Sequence, residues 1–486
     1  MLNYPVVNGH DDLTRVVDLI LQEAGLERSD LGGSLTFEGS DPIRRTHIKV
    51  GAMSAAITAA NAVATSILWR KRTGEGQDIH VDLRKSYVTQ SPWQENLGLY
   101  TTVNGASQMM GGNIGQLGPQ LLPTRDNRWV ILTSLYASNT EKVCQLLNCG
   151  ILPEQLQRAT RHWDAADLER AAQDVGVPLA ICRTSEEYRS TIQYAENAAA
   201  PLIHIEKIGE SPVEPLPSGT RPLSGLRVLG ITHVVAGPTV LRQLAAQGAD
   251  CLNLNTPHWV ELPAIFWQCY PGIRQAFMDV RVDANRSSIY NLVSEADVFV
   301  QNLRPNMVAR RGFSAQTLAQ HRPGVICVDV SLNVSKGPWA DWIGYDFIGG
   351  GLTGLFCDIG SADQPQLPND VNVVCDFMTG YLASIGIQAA LMRRAREGGS
   401  YRVSVSLAQT IMLEQAIGYI DSDTLLKYEM LGEAHKPLPP HLQTGQTAFG
   451  EFTRLGSQVE MSKTPEYWDD PIIRPIGSSL PEWIPH

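Results

Sequence analysis

Residues 373–407 read VVCDFMTGYLASIGIQAALMRRAREGGSYRVSVSL, and the fold follows from how this stretch divides. From Tyr381 to Met392 small and aliphatic residues occupy nearly every face, the pattern of a helix buried all round. Its basic residues, Arg393, Arg394 and Arg396, fall in the last turn, where they complement the negative end of the helix dipole. Gly398-Gly399 closes the helix, and Tyr401-Arg-Val-Ser-Val-Ser-Leu407 then alternates as a half-buried strand does. Asp376 is the one acid at the helix mouth, where unpaired backbone N–H groups favour an anion. Two readings stand here: an ordinary N-cap aspartate, or an acid with separate chemistry.

The same theme occurs earlier. Residues 51–83 read GAMSAAITAANAVATSILWRKRTGEGQDIHVDL, another small-residue helix, glycine turn and alternating strand. A shift of 324 positions pairs Ala59 with Ala383, Arg70 with Arg394, Gly74 with Gly398, Val81 with Val405 and Leu83 with Leu407, so the chain contains an internal duplication. On that register Ala52 faces Asp376. A cap needed by the helix would leave a capping residue in the first copy, so the acid of the second has its own task.

Outward from the two copies the chain divides by pattern. Residues 1–110 hold an amphipathic helix over 11–22 and the first copy, and resemble the later part of a larger domain; residues 111–209 form a small α+β domain. The latter opens with the glycine-rich Gly111-Gly-Asn-Ile-Gly-Gln-Leu-Gly118 and continues with a strand at Arg128–Thr133 and helices near 140–148, 153–159 and 165–174. The proline-rich 210–222 reads as an exposed linker. Past it, strand 226–232, helix 239–247 and strand 249–254 make a βαβ unit, with further strands at 296–301 and 324–330. Residues 223–420 are therefore expected to be α/β, an open, mostly parallel Rossmann-like sheet with a ligand crevice at the carboxyl ends of its strands. Residues 421–486, rich in proline, read as a wrapping tail.

Composition narrows the function. The 39 basic and 50 acidic residues give a formal charge of −11, which argues against nucleic-acid or anionic-membrane partners. Eight scattered cysteines without a CxxC pair read as reduced residues. The sequence has no apolar run of about eighteen residues, and a soluble, cytoplasmic protein is expected. Gly349-Gly-Gly351-Leu-Thr-Gly354 satisfies GxGxxG, but Trp342–Ile348 makes a poor central strand and Leu355–Gly360 is not expected to open a helix, so no dinucleotide site is read there. Histidine spacing suggests no metal site.

Pro222-Leu-Ser-Gly-Leu-Arg-Val-Leu-Gly-Ile-Thr-His233-Val-Val-Ala-Gly-Pro238, Gln247-Gly-Ala-Asp250, Asn302-Leu-Arg-Pro305, Arg310-Arg-Gly-Phe313, Gly344-Tyr345-Asp346 and Asp376-x-x-Thr-Gly380 occur in the order found in class III CoA-transferases of the CaiB/BaiF type, and the chain resembles that family. Residues 49–209 resemble the family's later part, so the order is rearranged and partly duplicated. The resemblance implies that Asp376 is a nucleophile toward an acyl-CoA thioester and that Asp346 is a second active-site acid. It further implies that His233, Val234, Val235, Ala236 and Tyr345 line the coenzyme A path and that Arg310 supplies a cation to it. Coenzyme A enters as a thioester substrate, with no permanently bound cofactor, the second substrate is a carboxylic acid, and the family forms interlocked homodimers. Two departures stand out: Asn255-Thr256 replaces a basic residue that often follows the second strand, and Tyr345 stands where related racemases carry a histidine. The latter favours CoA transfer over racemisation, while a degenerate binding subunit is the non-enzymatic alternative. With the acid in one half and the glycine loop in the other, a composite site is expected, Asp376 facing residues 111–118.

Overall fold

The computed structural model describes residues 4–93, 100–108, 117–258, 261–304, 306–369, 371 and 373–485. Its central element is the helix Asp376–Glu397, with side chains buried along all but its last turn. Gly398 and Gly399 end it at φ of 68° and 94°, conformations open to glycine, and the chain returns as strand Ser400–Ser406. That strand belongs to a seven-stranded sheet. In spatial order its strands are Ile273–Phe277, Asp250–Asn255, Arg227–Ile231, Val298–Gln301, Ile326–Ser331, Ser400–Ser406 and His204–Gly209.

The first six strands are parallel and, counted along the chain, run 3-2-1-4-5-6, the doubly wound order. Strand direction from 1 to 4 reverses the winding, which opens a crevice beside the carboxyl ends of Arg227–Ile231 and Val298–Gln301. The seventh strand, His204–Gly209, is antiparallel at the edge. It was assigned by sequence to the small domain; the unpaired edge of Ser400–Ser406 takes it instead, since an open edge leaves a row of backbone groups without partners.

The duplicated helix Val50–Thr73 lies against Asp376–Glu397. Alanine, serine and glycine recur along both, allowing close approach, and Gln388 Nε2 donates to Asn61 Oδ1 across the contact at 3.0 Å. Val50–Thr73 is long and apolar enough to cross a membrane, yet its apolar window is entirely buried in protein. On the duplication register the helix of the first copy begins two residues earlier, at Val50, yet in each copy an upstream acid accepts from the same pair of amides. The Asp41 carboxylate accepts from Gly51 N and Ala52 N at 3.1 and 2.7 Å, as Asp346 accepts from Cys375 N and Asp376 N at 2.6 and 3.0 Å.

The small domain carries the antiparallel strands Leu117–Pro123, Trp129–Ser134 and Leu179–Ile181, covered by helices Ala137–Leu147, Pro153–Thr160 and Ala165–Val175. The linker and the tail are both held by specific contacts. The linker is pinned, with Arg72 Nη1 donating to the carbonyls of Arg221 and Pro222 at 3.0 and 2.5 Å and Arg322 Nη2 donating to Glu214 at 2.8 Å. The tail forms the hairpin Leu442–Thr447 and Gly450–Leu455, which pairs with Thr102–Val103, and the strand Val459–Met461 beside Ile79–Asp82. Its prolines lie before the first of these strands, at 437, 439 and 440, and after the last, from Pro465 on, where no ladder hydrogen bond is lost. Gly349, Gly350 and Gly351 lie inside helix Asp346–Thr353, and Leu355–Ile359 is a further short helix. Glycines within a helix make no phosphate-cradling strand-to-helix turn, so the dinucleotide motif fails for that reason.

The fit of Asp376–Glu397 to the sheet is tight at Gly386, where an added Cβ would stand 2.5 Å from Val403 Cγ1 and 2.8 Å from Ile203 Cγ2. Gly386→Val is expected to destabilise the protein by about 1–3 kcal/mol through overpacking. Denaturant unfolding reads this directly, and an unchanged midpoint would show that the helix can stand off from the sheet.

Candidate active site

Asp376 is the first helical residue, with Cys375 at the N-cap, and no side chain caps the helix locally. The capping reading of Asp376 therefore fails. Asp346 does that work: its two oxygens accept from Val374 N, Cys375 N and Asp376 N at 2.7, 2.6 and 3.0 Å. The unpaired amides expected at this helix mouth are in part filled: these three are taken by an acid from 30 residues upstream. Asp346 and Asp376, 6% and 5% exposed, present oxygens within 4.8 Å of each other.

Burial raises the Asp376 pKa well above the carboxylate range, and the Asp346 charge raises it further. Burial also raises that of Asp346, opposed by its three amide donors. Asp346 thus holds the shared negative charge more readily, leaving Asp376 as the acid whose ionisation is costly. A third buried carboxyl, Glu414, sits behind them with its pKa raised to about 8 by burial, and accepts from Gln90 at 3.0 Å.

Asp376 lies where two cavities meet. One, of about 320 Å³, occupies the crevice at the sheet's switch point and is lined by His233, Asn302 and Arg304 among others. The other, of about 400 Å³, is largely apolar. Val234, Val235, Tyr345 and Asp376 line both. At the switch point His233 N donates to Asn302 Oδ1 at 3.0 Å, and Asn302 Nδ2 returns to the His233 carbonyl at 2.8 Å, tying strand 1 to strand 4. Gly237 permits this, since a Cβ there would stand 2.5 Å from Asn302 Cγ.

Val234 adopts φ of 63°, a strained conformation for a β-branched residue. Glu261 holds it by accepting the Val234 N–H at 3.0 Å, and also accepts from the Tyr136 hydroxyl at 2.6 Å. That hydroxyl lies 2.9 Å from His233 Nδ1. Burial raises Glu261 to about 7 and lowers His233 to about 4, with Arg304 adding to the latter, so His233 is neutral at physiological pH. Tyr136 belongs to the small domain, as does Asn139, whose amide donates to the Tyr345 hydroxyl at 3.2 Å. Both halves of the chain build the site.

Of the residues expected from sequence, Asp376, Asp346, Tyr345, Val234 and Val235 line the apolar cavity, and His233 and Ala236 line the crevice. Arg310 does not join them: it ends the short helix Met307–Arg310, exposed and outside the cavity linings. The crevice cations are Lys142, Arg281 and Arg304. Arg304 belongs to the Asn-Leu-Arg-Pro motif, six residues before Arg310. Beside the Asn255-Thr256 departure stands Arg281, from beyond strand 3, whose guanidinium donates to Thr256 Oγ1 at 3.1 Å and pairs with Asp279 at 2.6 Å. Of the glycine-rich loop, residues 111–116 lie outside the described residues; Gln108 before it and Gly118 and Pro119 after it line the cavity with Asp376.

The doubly wound sheet thus opens at its switch point into a crevice that is lined by cations and ends on a buried carboxyl. The chain belongs to CoA-transferase family III, whose pattern matches residues 28–212 and 223–444. It is 31% identical over 215 residues to an acetyl-coenzyme A transferase of Hypoxylon pulicicidum, covering 43% of this chain and 36% of that one. It is 28% identical over 247 residues to a succinate–glutarate CoA-transferase of Agrobacterium fabrum, covering 46% and 61%. The chain therefore spans less than two thirds of the length of either relative. A crystal structure of a CaiB/BaiF family protein from Brucella suis is 27% identical, covers 48% of this chain and 65% of its own, and superposes with a TM-score of 0.36.

Two measurements separate these assignments. Arg304→Ala is expected to raise the KM for an acyl-CoA roughly ten- to a hundredfold, the value of a charge-assisted contact of about 1.5–3 kcal/mol, with Arg310→Ala near wild type. The reverse ranking would return the cation role to Arg310. Asp376→Asn is expected to stabilise the protein, because a carboxyl raised by folding contributes stability that is complete below its unfolded pKa of about 3.9 and is lost as pH rises through its folded pKa. Its melting-temperature advantage over wild type should therefore widen from about pH 4 upward. A constant gap would mean that Asp376 is not raised.

Proposed function

We propose that the chain moves coenzyme A from an acyl-CoA thioester to a carboxylic acid, with Asp376 as the covalent nucleophile. The observation that carries this is the position of Asp376 at the junction of a cationic crevice and an apolar cavity, where a thioester carbonyl of a bound acyl-CoA would lie. In this reading Lys142, Arg281 and Arg304 receive the phosphates, and the pantetheine arm passes His233, Val234 and Val235 toward Asp376.

The Asp376 carboxylate attacks the thioester carbonyl carbon, and the C–S bond breaks to release CoA thiolate and leave an acyl-aspartyl anhydride. Thiolate then attacks the Asp376 carbonyl carbon; the anhydride C–O bond breaks, the donor leaves as its carboxylate, and Asp376 carries CoA as a thioester. An acceptor carboxylate attacks that carbonyl and expels thiolate, and thiolate attacks the acceptor's acyl carbon, restoring the Asp376 carboxylate. Burial suits each step by withholding water from the anhydride. It also makes Asp376 costly to ionise, which favours its conversion to the uncharged ester forms. Asp346 positions the reacting group by fixing three amides at the start of its helix. The reading includes a cytoplasmic setting and a homodimer, although the small domain supplies its wall to the site within one chain.

Incubation with acyl-CoA and hydroxylamine is expected to convert Asp376 to a hydroxamate, located by peptide mass, and Asp376→Asn is expected to lose several orders of magnitude in turnover. A label on another residue, or near-normal activity of the variant, would overturn the assignment. The acid limb of kcat/KM should lie above the usual carboxylate range, since Asp376 must ionise against burial and the Asp346 charge. In Asp346→Asn that limb should move to lower pH as the repulsion is removed, with a lower melting temperature because the amide cannot accept all three N–H groups.

A further inference from the structure

The apolar cavity next to Asp376 is walled by Trp93, Leu135, Leu262, Ile265, Trp267 and Phe347. Among the described residues its only charged lining groups are Asp346 and Asp376. Its neutral polar lining includes Thr101, Thr133 and Gln268. The internal segments 94–99, 109–116 and 259–260 and residues 305, 370 and 372 contain no lysine or arginine in sequence. Two buried guanidinium groups, Arg242 and Arg454, donate to the Gln268 carbonyl at 2.6 and 3.3 Å, and neither lines the cavity. The contrast with the neighbouring crevice, which holds Lys142, Arg281 and Arg304, is one of charge as well as polarity.

We propose, resting on the CoA-transfer reading, that this cavity is the acyl subsite and that it selects a bulky apolar monocarboxylic acyl group over a dicarboxylic or one-carbon one. A second carboxylate would enter an apolar space whose charged lining groups, among the described residues, are both acidic, with no lining cation to offset its desolvation. A formyl group, comparable with the roughly 30 Å³ of a water molecule, would leave most of about 400 Å³ unfilled. An apolar acyl tail gains about fourfold in affinity per buried methylene.

The test is made by calorimetry on Asp376→Asn, which binds without reacting, with hexanoyl-CoA, phenylacetyl-CoA, succinyl-CoA, glutaryl-CoA, formyl-CoA and free CoA. Hexanoyl- and phenylacetyl-CoA are expected to bind at least about a hundredfold tighter than succinyl- and glutaryl-CoA, and tighter than free CoA. Succinyl-, glutaryl- or formyl-CoA binding as well as the apolar esters would overturn the proposal, as would equal binding of all esters and free CoA. Leu135→Arg, which puts a cation on the cavity wall, is expected to narrow the gap toward succinyl-CoA by tenfold or more. The expected ranking with no hydroxamate on Asp376 in wild type would keep the subsite and discard the covalent chemistry, so the two failures are distinguishable.

Discussion

Three backbone N–H groups converge on the carboxylate of Asp346, and the site depends on that clamp. Helix Asp376–Glu397 begins in the protein interior, where amides without partners would each cost about 1–3 kcal/mol. One buried acid answers them, and its charge lies within 4.8 Å of the next acid. The same contact thus fixes where Asp376 stands and makes it hard to ionise. Position and reactivity come from one interaction.

The duplication gives this clamp a counterpart without the second acid. Asp41 accepts from Gly51 N and Ala52 N on separate oxygens, where one oxygen of Asp346 accepts from Cys375 N and Asp376 N, yet a methyl group stands where Asp376 stands. The helix start therefore needs an acceptor from elsewhere in the chain and has no need of an acid at its own first position. Around the second copy the rest of the site is assembled from both halves: the crevice from the carboxyl ends of strands 1 and 4, and the facing wall from Tyr136 and Asn139 of the small domain.

Strain enters at one point. Val234 turns through a left-handed conformation between crevice and apolar cavity, and Glu261 secures it by accepting its N–H. Removing Glu261 would free the turn to relax, which ties a buried carboxyl far from Asp376 in sequence to the shape of the passage between the two cavities.

Sequence alone determined the elements whose signals are local. The buried helix with its glycine stop, the duplication register, the βαβ start at Leu226 and the acid at the helix mouth follow from periodicity, glycine placement and order along the chain. Tertiary structure decided everything that depends on which groups share a space. The capping partner of Asp376's helix came from Asp346, the crevice lining includes Arg281 and Arg304 and not Arg310, the sheet's seventh strand is His204–Gly209, and Glu261 and Tyr136 carried no motif at all. Hydrogen-bond partners and the pKa shifts that follow from them arise between residues distant in sequence, and no periodicity within a segment encodes them.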